Sequence, residues 1–317
     1  LRPVENHPVG LSMCRVLAYL GCPLSLEDVL YETDSSLVRQ AHSPRMTAVL
    51  NLAGFGFAAW EPGSARPADP FLYRAMTLPV YDRNLRSLAR KLEPTCVLAH
   101  VRGVPLSDSE IVSEVNLHPF RHPGAAVTLA HNGHLREFER MRFDLVPHVR
   151  PEVRERIEGT SDSAWLYAVL LSQLDDPYGA PGVNDLADAT VRTLEIVRDV
   201  RARHGIDTSS PTNLFVTTGS ALVATRFSYD YGWYPDSDSL LEVDLPYVSL
   251  WYTLGDRYAL HEGEWTMAGD GPVRSLLIAS EPLTSDASTW LEVPEYSLLA
   301  ASLDGDELHM ELRDLDV

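Results

Sequence analysis

The chain has 317 residues, 45% of them hydrophobic, and a formal net charge of −19 at pH 7. It is long and apolar enough for a substantial core, and its acidic balance, with no Lys/Arg cluster, argues against nucleic acid or an anionic membrane surface as a partner. No run reaches the ~18 consecutive apolar residues of a spanning helix, and residues 1–12 lack the charged start and apolar core of a signal peptide, so a cytoplasmic location is expected.

In chain order, the apolar stretches 14–20 and 54–60 read as strands, with a helical piece near 26–31 between them and a loop at 63–69. Asp82 is placed to cap the helix "RNLRSLARKL", which ends before Pro94, and "TCVLAHV" (95–101) follows as a buried strand. "AAVTLAH" (125–131) is the next strand, broken by "NGH" (132–134). Ser161 or Asp162 begins an apolar helix, and a longer helix runs from Asn184 to a stop at Gly205, with Ala187, Val191, Leu194 and Val197 along one face. From 213 onward the pattern is strands with short Gly- or Asp-containing turns. Strands, two helices and more strands predict an α+β fold, with sheets face to face and helices outside.

Three cysteines, at 14, 22 and 96, are too few and too scattered for a disulfide framework or a zinc cluster. Taken singly, each polar motif has an ordinary explanation. Cys14 reads as a buried small hydrophobe, Arg102 as an ion-pair partner, "HNG" as a turn and Asp162 as a helix cap. Together they form a set: a thiol nucleophile, an Arg to grip a carboxylate, the Asn132 amide beside the Gly133 N–H to receive an oxyanion, and Asp162 to hold an ammonium. That set suits the γ-amide of an amino acid.

The segments "MCR", "GFGFA", "AHVR", "EVNLHPF", "AHNGHLREF" and "TSDSAWL", in this order, resemble the class II glutamine amidotransferases, a branch of the N-terminal nucleophile (Ntn) hydrolases. The later "ALVATRFS", "IASEPL" and "WLEVPEYSLL" resemble the compact, stand-alone members, among them the γ-glutamyl amidohydrolase of ergothioneine biosynthesis. The resemblance implies a four-layer αββα sandwich of two antiparallel sheets between helical layers. Residues 14–317 would form a single domain, and residues 1–13 would be a leader or a misassigned start, removed or absent in the mature protein. It also implies that Cys14 is the nucleophile, with its freed α-amine as general base. Asn132 and Gly133 would form the oxyanion hole, while Arg102 and Asp162 would bind the substrate's α-carboxylate and α-ammonium. His100 and His118 would orient loops or substrate.

A free α-amine, with a pKa of about 7.7–8.0, suits proton abstraction near neutrality, so Cys14 must begin the working chain. A three-histidine metal site from His100, His118 and His131 lacks both spacing on one element and a flanking carboxylate pattern, and no metal or cofactor is expected. The link "GVPLSDSEIVSEV" after Arg102 is longer than in the family, with Pro105 near the position of a substrate-binding Thr whose role would pass to Ser107 or Ser109. The expected function is hydrolysis of glutamine or a γ-glutamyl amide through a γ-glutamyl thioester. The alternatives are a glutaminase subunit delivering ammonia to a separate synthase partner, or a non-catalytic γ-glutamyl-binding or protein-binding member that keeps its leader.

Overall fold

Strands buried on both faces read as unbroken apolar runs, and "RVLAYL" and "CVLAHV" are buried throughout in the computed structural model. It describes residues 14–46, 50–103, 113–230, 249–268 and 271–317. The elements run β1 (Arg15–Leu20), α1 (Leu37–Gln40), β2 (Phe55–Trp60), β3 (Phe71–Ala75), α2 (Arg83–Ala89), β4 (Cys96–Val101) and β5 (Thr128–Gly133). Next come α3 (Phe138–Met141), α4 (Pro151–Arg154), α5 (Asp162–Gln173), α6 (Val183–Arg203), β6 (Ser210–Thr217), β7 (Ala221–Arg226) and β8 (Ser228–Tyr229). The chain closes with β9 (Trp251–Gly255), β10 (Arg257–His261), β11 (Glu264–Ala268), β12 (Ser275–Ala279), β13 (Leu291–Glu292), β14 (Ser297–Asp304) and β15 (Glu307–Asp314).

Among the described residues these strands form a seven-stranded sheet, β13-β9-β12-β1-β4-β2-β3, and a second sheet, β15-β14-β7-β6-β5, in which β8 also pairs with β6. β10 and β11 make a separate hairpin, and the strand pairs are antiparallel.

Alternation along each strand divides its side chains between two cores. On β1, Val16, Ala18 and Leu20 face the second sheet and pack with Phe215, Leu222 and Leu299. Leu17 and Tyr19 face outward to Leu37, Val38, Leu85 and Ala89 from α1 and α2. On the far side, Leu129, Val216 and Leu298 lie beneath Leu166 and Leu170 of α5 and Leu194 and Val197 of α6. Helices, sheet, sheet and helices give the four-layer αββα sandwich that the family resemblance implies. Among the described residues no helix is long and apolar enough to cross a membrane.

The expected strands and both long helices are present, with shifted ends. α5 takes Ser161 rather than Asp162 as its cap, the Ser161 hydroxyl accepting the Ala164 N–H at 3.4 Å. α6 starts at Val183, and the piece near 26–31 is a single wide helical turn, Asp28–Glu32. The clearest difference is at "HNG". Instead of a turn, β5 continues to Gly133, because Asn132 and Gly133 pair with Asn213 and Thr212 of β6. Long-range pairing there overrides the local preference of Asn-Gly.

Candidate active site

Where β1 begins, β4 and β5 end and α5 begins, the chain encloses a cavity of about 450 Å³. Its lining includes Cys14, Arg102, Gly133 and Asp162. Antiparallel register explains the first two. Arg15 pairs with Val101, which sets Cys14 alongside Arg102 at the same end of the sheet.

Cys14 is buried, and its Sγ lies 3.8 Å from the Gly103 carbonyl oxygen. Its own carbonyl accepts from Arg15 Nη1 at 3.0 Å. That fully buried guanidinium approaches Glu281 at 3.8 Å, and Glu281 also accepts from the Arg45 and Met46 N–H groups and from Ser35 Oγ. The residue after the thiol thus ties it to the end of β12 and to the 33–46 segment.

Asp162 occupies the first turn of α5, where a negative charge is favoured. Its Oδ2 accepts the Leu135 N–H at 2.8 Å, and its Oδ1 accepts the Ser163 N–H at 2.6 Å. Burial opposes the charge. His131, His134 and these hydrogen bonds outweigh it and hold the carboxyl below the usual carboxylate range. An ionised, nearly buried carboxylate that lines a cavity is suited to an ammonium group.

Arg102 is buried and donates through Nη1 to the Asn116 carbonyl. The Asn116 side chain in turn accepts the Thr160 N–H at 3.0 Å and donates to Thr160 Oγ1 at 3.1 Å. Asn116 therefore fixes the distance between the guanidinium and the start of α5, and so the spacing between a carboxylate grip and an ammonium grip.

The direction of the Gly133 N–H follows from register. His134 N donates to the Pro211 carbonyl at 3.0 Å, so Gly133 and Thr212 form a wide, non-hydrogen-bonded pair. Its N–H therefore points away from β6. β5 is the outer strand of the described sheet, and Phe120 bonds Leu129 along the same edge, which brings His118 beside it. The N–H leaves that edge on the cavity side. A Cβ at Gly133 would sit 2.0 Å from the Pro211 oxygen, so no side chain fits there. Asn132 is buried and projects between the sheets, its Nδ2 3.1 Å from Ser280 Oγ.

His118 lines the cavity, whereas His100 lies one layer behind it, their ring centroids 4.1 Å apart. Close approach of the His118 segment relies on Gly56, where a Cβ would meet the His118 carbonyl at 2.2 Å. Burial pushes both imidazoles well below their usual range, helped by the neighbouring Arg102 charge. They are neutral at physiological pH. Burial also lowers His131, whose Nδ1 is 2.9 Å from Ser163 Oγ. Among the described residues no group of three or more His, Cys, Asp or Glu is disposed to hold a metal ion.

The structure brings Cys14, Arg102, Gly133, Asp162 and His118 to one cavity, with Asn132 and His100 directly behind it. Ser107 and Ser109 lie outside the described residues. Asn116, Arg15, Ser280 and Glu281 all lie in motifs that carry the resemblance, but the sequence alone assigns none of them a role. A Ser-Glu pair closing an apolar strand in "IASEPL" was the available signal for the last two.

Two antiparallel sheets between helical layers, with a thiol, a guanidinium and a carboxylate around one cavity, are the architecture and residue set that the class II amidotransferase resemblance implies. Residues 45–313 match the family model for glutamine amidotransferases class-II, and the chain belongs to that family of enzymes. It is 29% identical over 306 residues to the probable glutamine amidotransferase DUG3 of Saccharomyces cerevisiae, covering 90% of this chain and 81% of the yeast protein. It is 28% identical over 224 residues to the gamma-glutamyl-hercynylcysteine sulfoxide hydrolase of Mycolicibacterium smegmatis, covering 68% and 79% of the two chains. A glutamine aminotransferase class-II domain protein from Silicibacter pomeroyi has the same fold, with a TM-score of 0.60 at 23% identity over 96% of this chain and 100% of that one.

Proposed function

We propose that the enzyme hydrolyses the γ-amide of γ-glutamyl compounds through a thioester on Cys14. The amino-acid end of the substrate is held by Arg102 on its carboxylate and by Asp162 on its ammonium, which presents the γ-carbonyl to the thiol. The Cys14 α-amine, free once the bond to Met13 is absent, takes the thiol proton. Sγ attacks the carbonyl carbon, and the resulting oxyanion receives hydrogen bonds from the Gly133 N–H and the Asn132 amide. As the tetrahedral intermediate collapses, the C–N bond breaks and the proton passes to the departing amine. Water then adds to the thioester and releases glutamate.

The observation that carries this reading is the meeting of Cys14, the Gly133 edge and the Arg102–Asp162 pair in one cavity. Its volume of about 450 Å³ supports an amine larger than ammonia beyond the γ-glutamyl group, since such volumes hold drug-sized ligands. The names of the yeast and mycobacterial relatives support glutamine or γ-glutamyl chemistry.

A panel of γ-glutamyl amides and free glutamine, assayed with Cys14→Ala as control, tests the proposal. Turnover of γ-glutamyl amides that vanishes in Cys14→Ala is the expected result. Equal activity in that variant would sink the mechanism, and activity confined to glutamine would favour an ammonia-supplying subunit.

A further inference from the structure

Ser280, immediately after β12, joins the two sheets behind the nucleophile. Its N–H donates to the Val16 carbonyl at 3.0 Å, and its own carbonyl accepts from Ser249 Oγ at 2.9 Å. Its Oγ accepts the Val16 N–H at 3.0 Å, two residues from Cys14, and lies 3.1 Å from Asn132 Nδ2 on the opposite sheet. Asn132 and Ser280 are both almost completely buried.

A hydroxyl has one proton to give and two lone pairs. With the Asn132 amide donating to Ser280, both lone pairs are used and the hydroxyl proton has no role in the contact. Among the described residues Asn132 Oδ1 is then left buried with no partner, which is costly for a polar atom. Turning the amide over about its last torsion exchanges the two ends. Oδ1 then accepts the Ser280 proton, while Oγ still accepts the Val16 N–H. The NH₂ group is then released from Ser280, on a residue whose chain neighbours His131 and Gly133 both line the cavity.

We propose that Ser280 is the positioning residue that holds the Asn132 amide in this second orientation, with its NH₂ free to donate to the oxyanion. The inference rests on the γ-glutamyl hydrolase reading above and adds the group that sets the direction of one oxyanion donor. It also gives the "IASE" segment a part in the chemistry, carried from the first sheet to the second by one hydroxyl.

A kinetic cycle on the full chain tests it, with γ-glutamyl-p-nitroanilide as probe and Ser280→Ala, Asn132→Ala and the double variant as enzymes. Loss of one oxyanion donor costs on the order of 10²- to 10³-fold, so Ser280→Ala is expected to lower kcat by about 10- to 100-fold at nearly constant KM. In the Asn132→Ala background the same change should alter kcat by less than about twofold, because the group it positions is gone. A full loss in that background, or wild-type kcat in Ser280→Ala, would overturn the proposal.

Ser280→Thr and Ser280→Val add the same bulk, but only Thr keeps an acceptor for the Val16 N–H, so kcat is compared at a temperature where thermal unfolding shows both variants fully folded. The Thr variant should be faster by about tenfold or more. Equal rates would count against the proposal. Wild-type turnover in Cys14→Ala is a separate outcome that removes the hydrolase reading itself.

Discussion

Asp162 has a structural place and, in the proposed function, a binding role as well. It begins α5 and bonds Leu135 N and Ser163 N, yet it faces the cavity. Asp162→Asn keeps most of that geometry and loses the charge, so KM for γ-glutamyl substrates should rise steeply with a smaller change in kcat. Because the Asp162 carboxyl is held below its ordinary range, it stays ionised on acidification, and binding through it should be unchanged down to about pH 5. A KM that climbs between pH 7 and about pH 5 would assign the ammonium grip to another group. Asn132→Ala should leave folding intact and lower kcat by about 10²- to 10³-fold in steady-state kinetics. The candidate residues were legible from the sequence only as a set, since each alone has an ordinary structural explanation. Their partners were less so: Ser280 reaches Asn132 across 148 positions and Glu281 reaches Arg45 across 236, and no local pattern encodes such pairings.

Elements differ in how far their ends are set locally. Asp82 caps α2 by accepting the Leu85 N–H at 2.9 Å, as its sequence context predicts. α2 packs on the outer face of the first sheet and does not line the cavity, so Asp82→Ala should cost about 1 kcal/mol of stability in urea unfolding with kcat unchanged. β5 is the opposite case. Its last residues read as a turn, and its pairing with β6 makes them strand. The difference bears on the proposed oxyanion site, since register at Gly133 sends its N–H off the sheet edge. Gly133→Ala forces a Cβ against the Pro211 oxygen, and both thermal stability and kcat should fall. An active, fully stable Gly133→Ala enzyme would contradict this account of the edge.

At the scale of the molecule, the fold was readable because β1, β2 and β4 are buried on both faces and spell themselves as apolar runs. What periodicity left open was which strands share a sheet, since β12 returns from the far end of the chain to pair with β1. The same layering buries neutral imidazoles at the site. His100, His118 and His131 titrate below their ordinary range, and burial lowers His122 to about 4. As pH falls below about 6.5 the unfolded chain takes up protons that the folded chain refuses, so stability is full above that pH and declines toward the lowered folded values. Urea midpoints should therefore drop between pH 7 and about pH 5, and less steeply in His118→Phe. The central claim is that Cys14, as a chain terminus, carries the γ-glutamyl group. Its most direct test is the mass of the amino-terminal peptide after acid quench during turnover of a γ-glutamyl amide. The account predicts a peptide that begins at Cys14 and bears a γ-glutamyl thioester there; an active enzyme that retains Met13 and shows no adduct on Cys14 would contradict it.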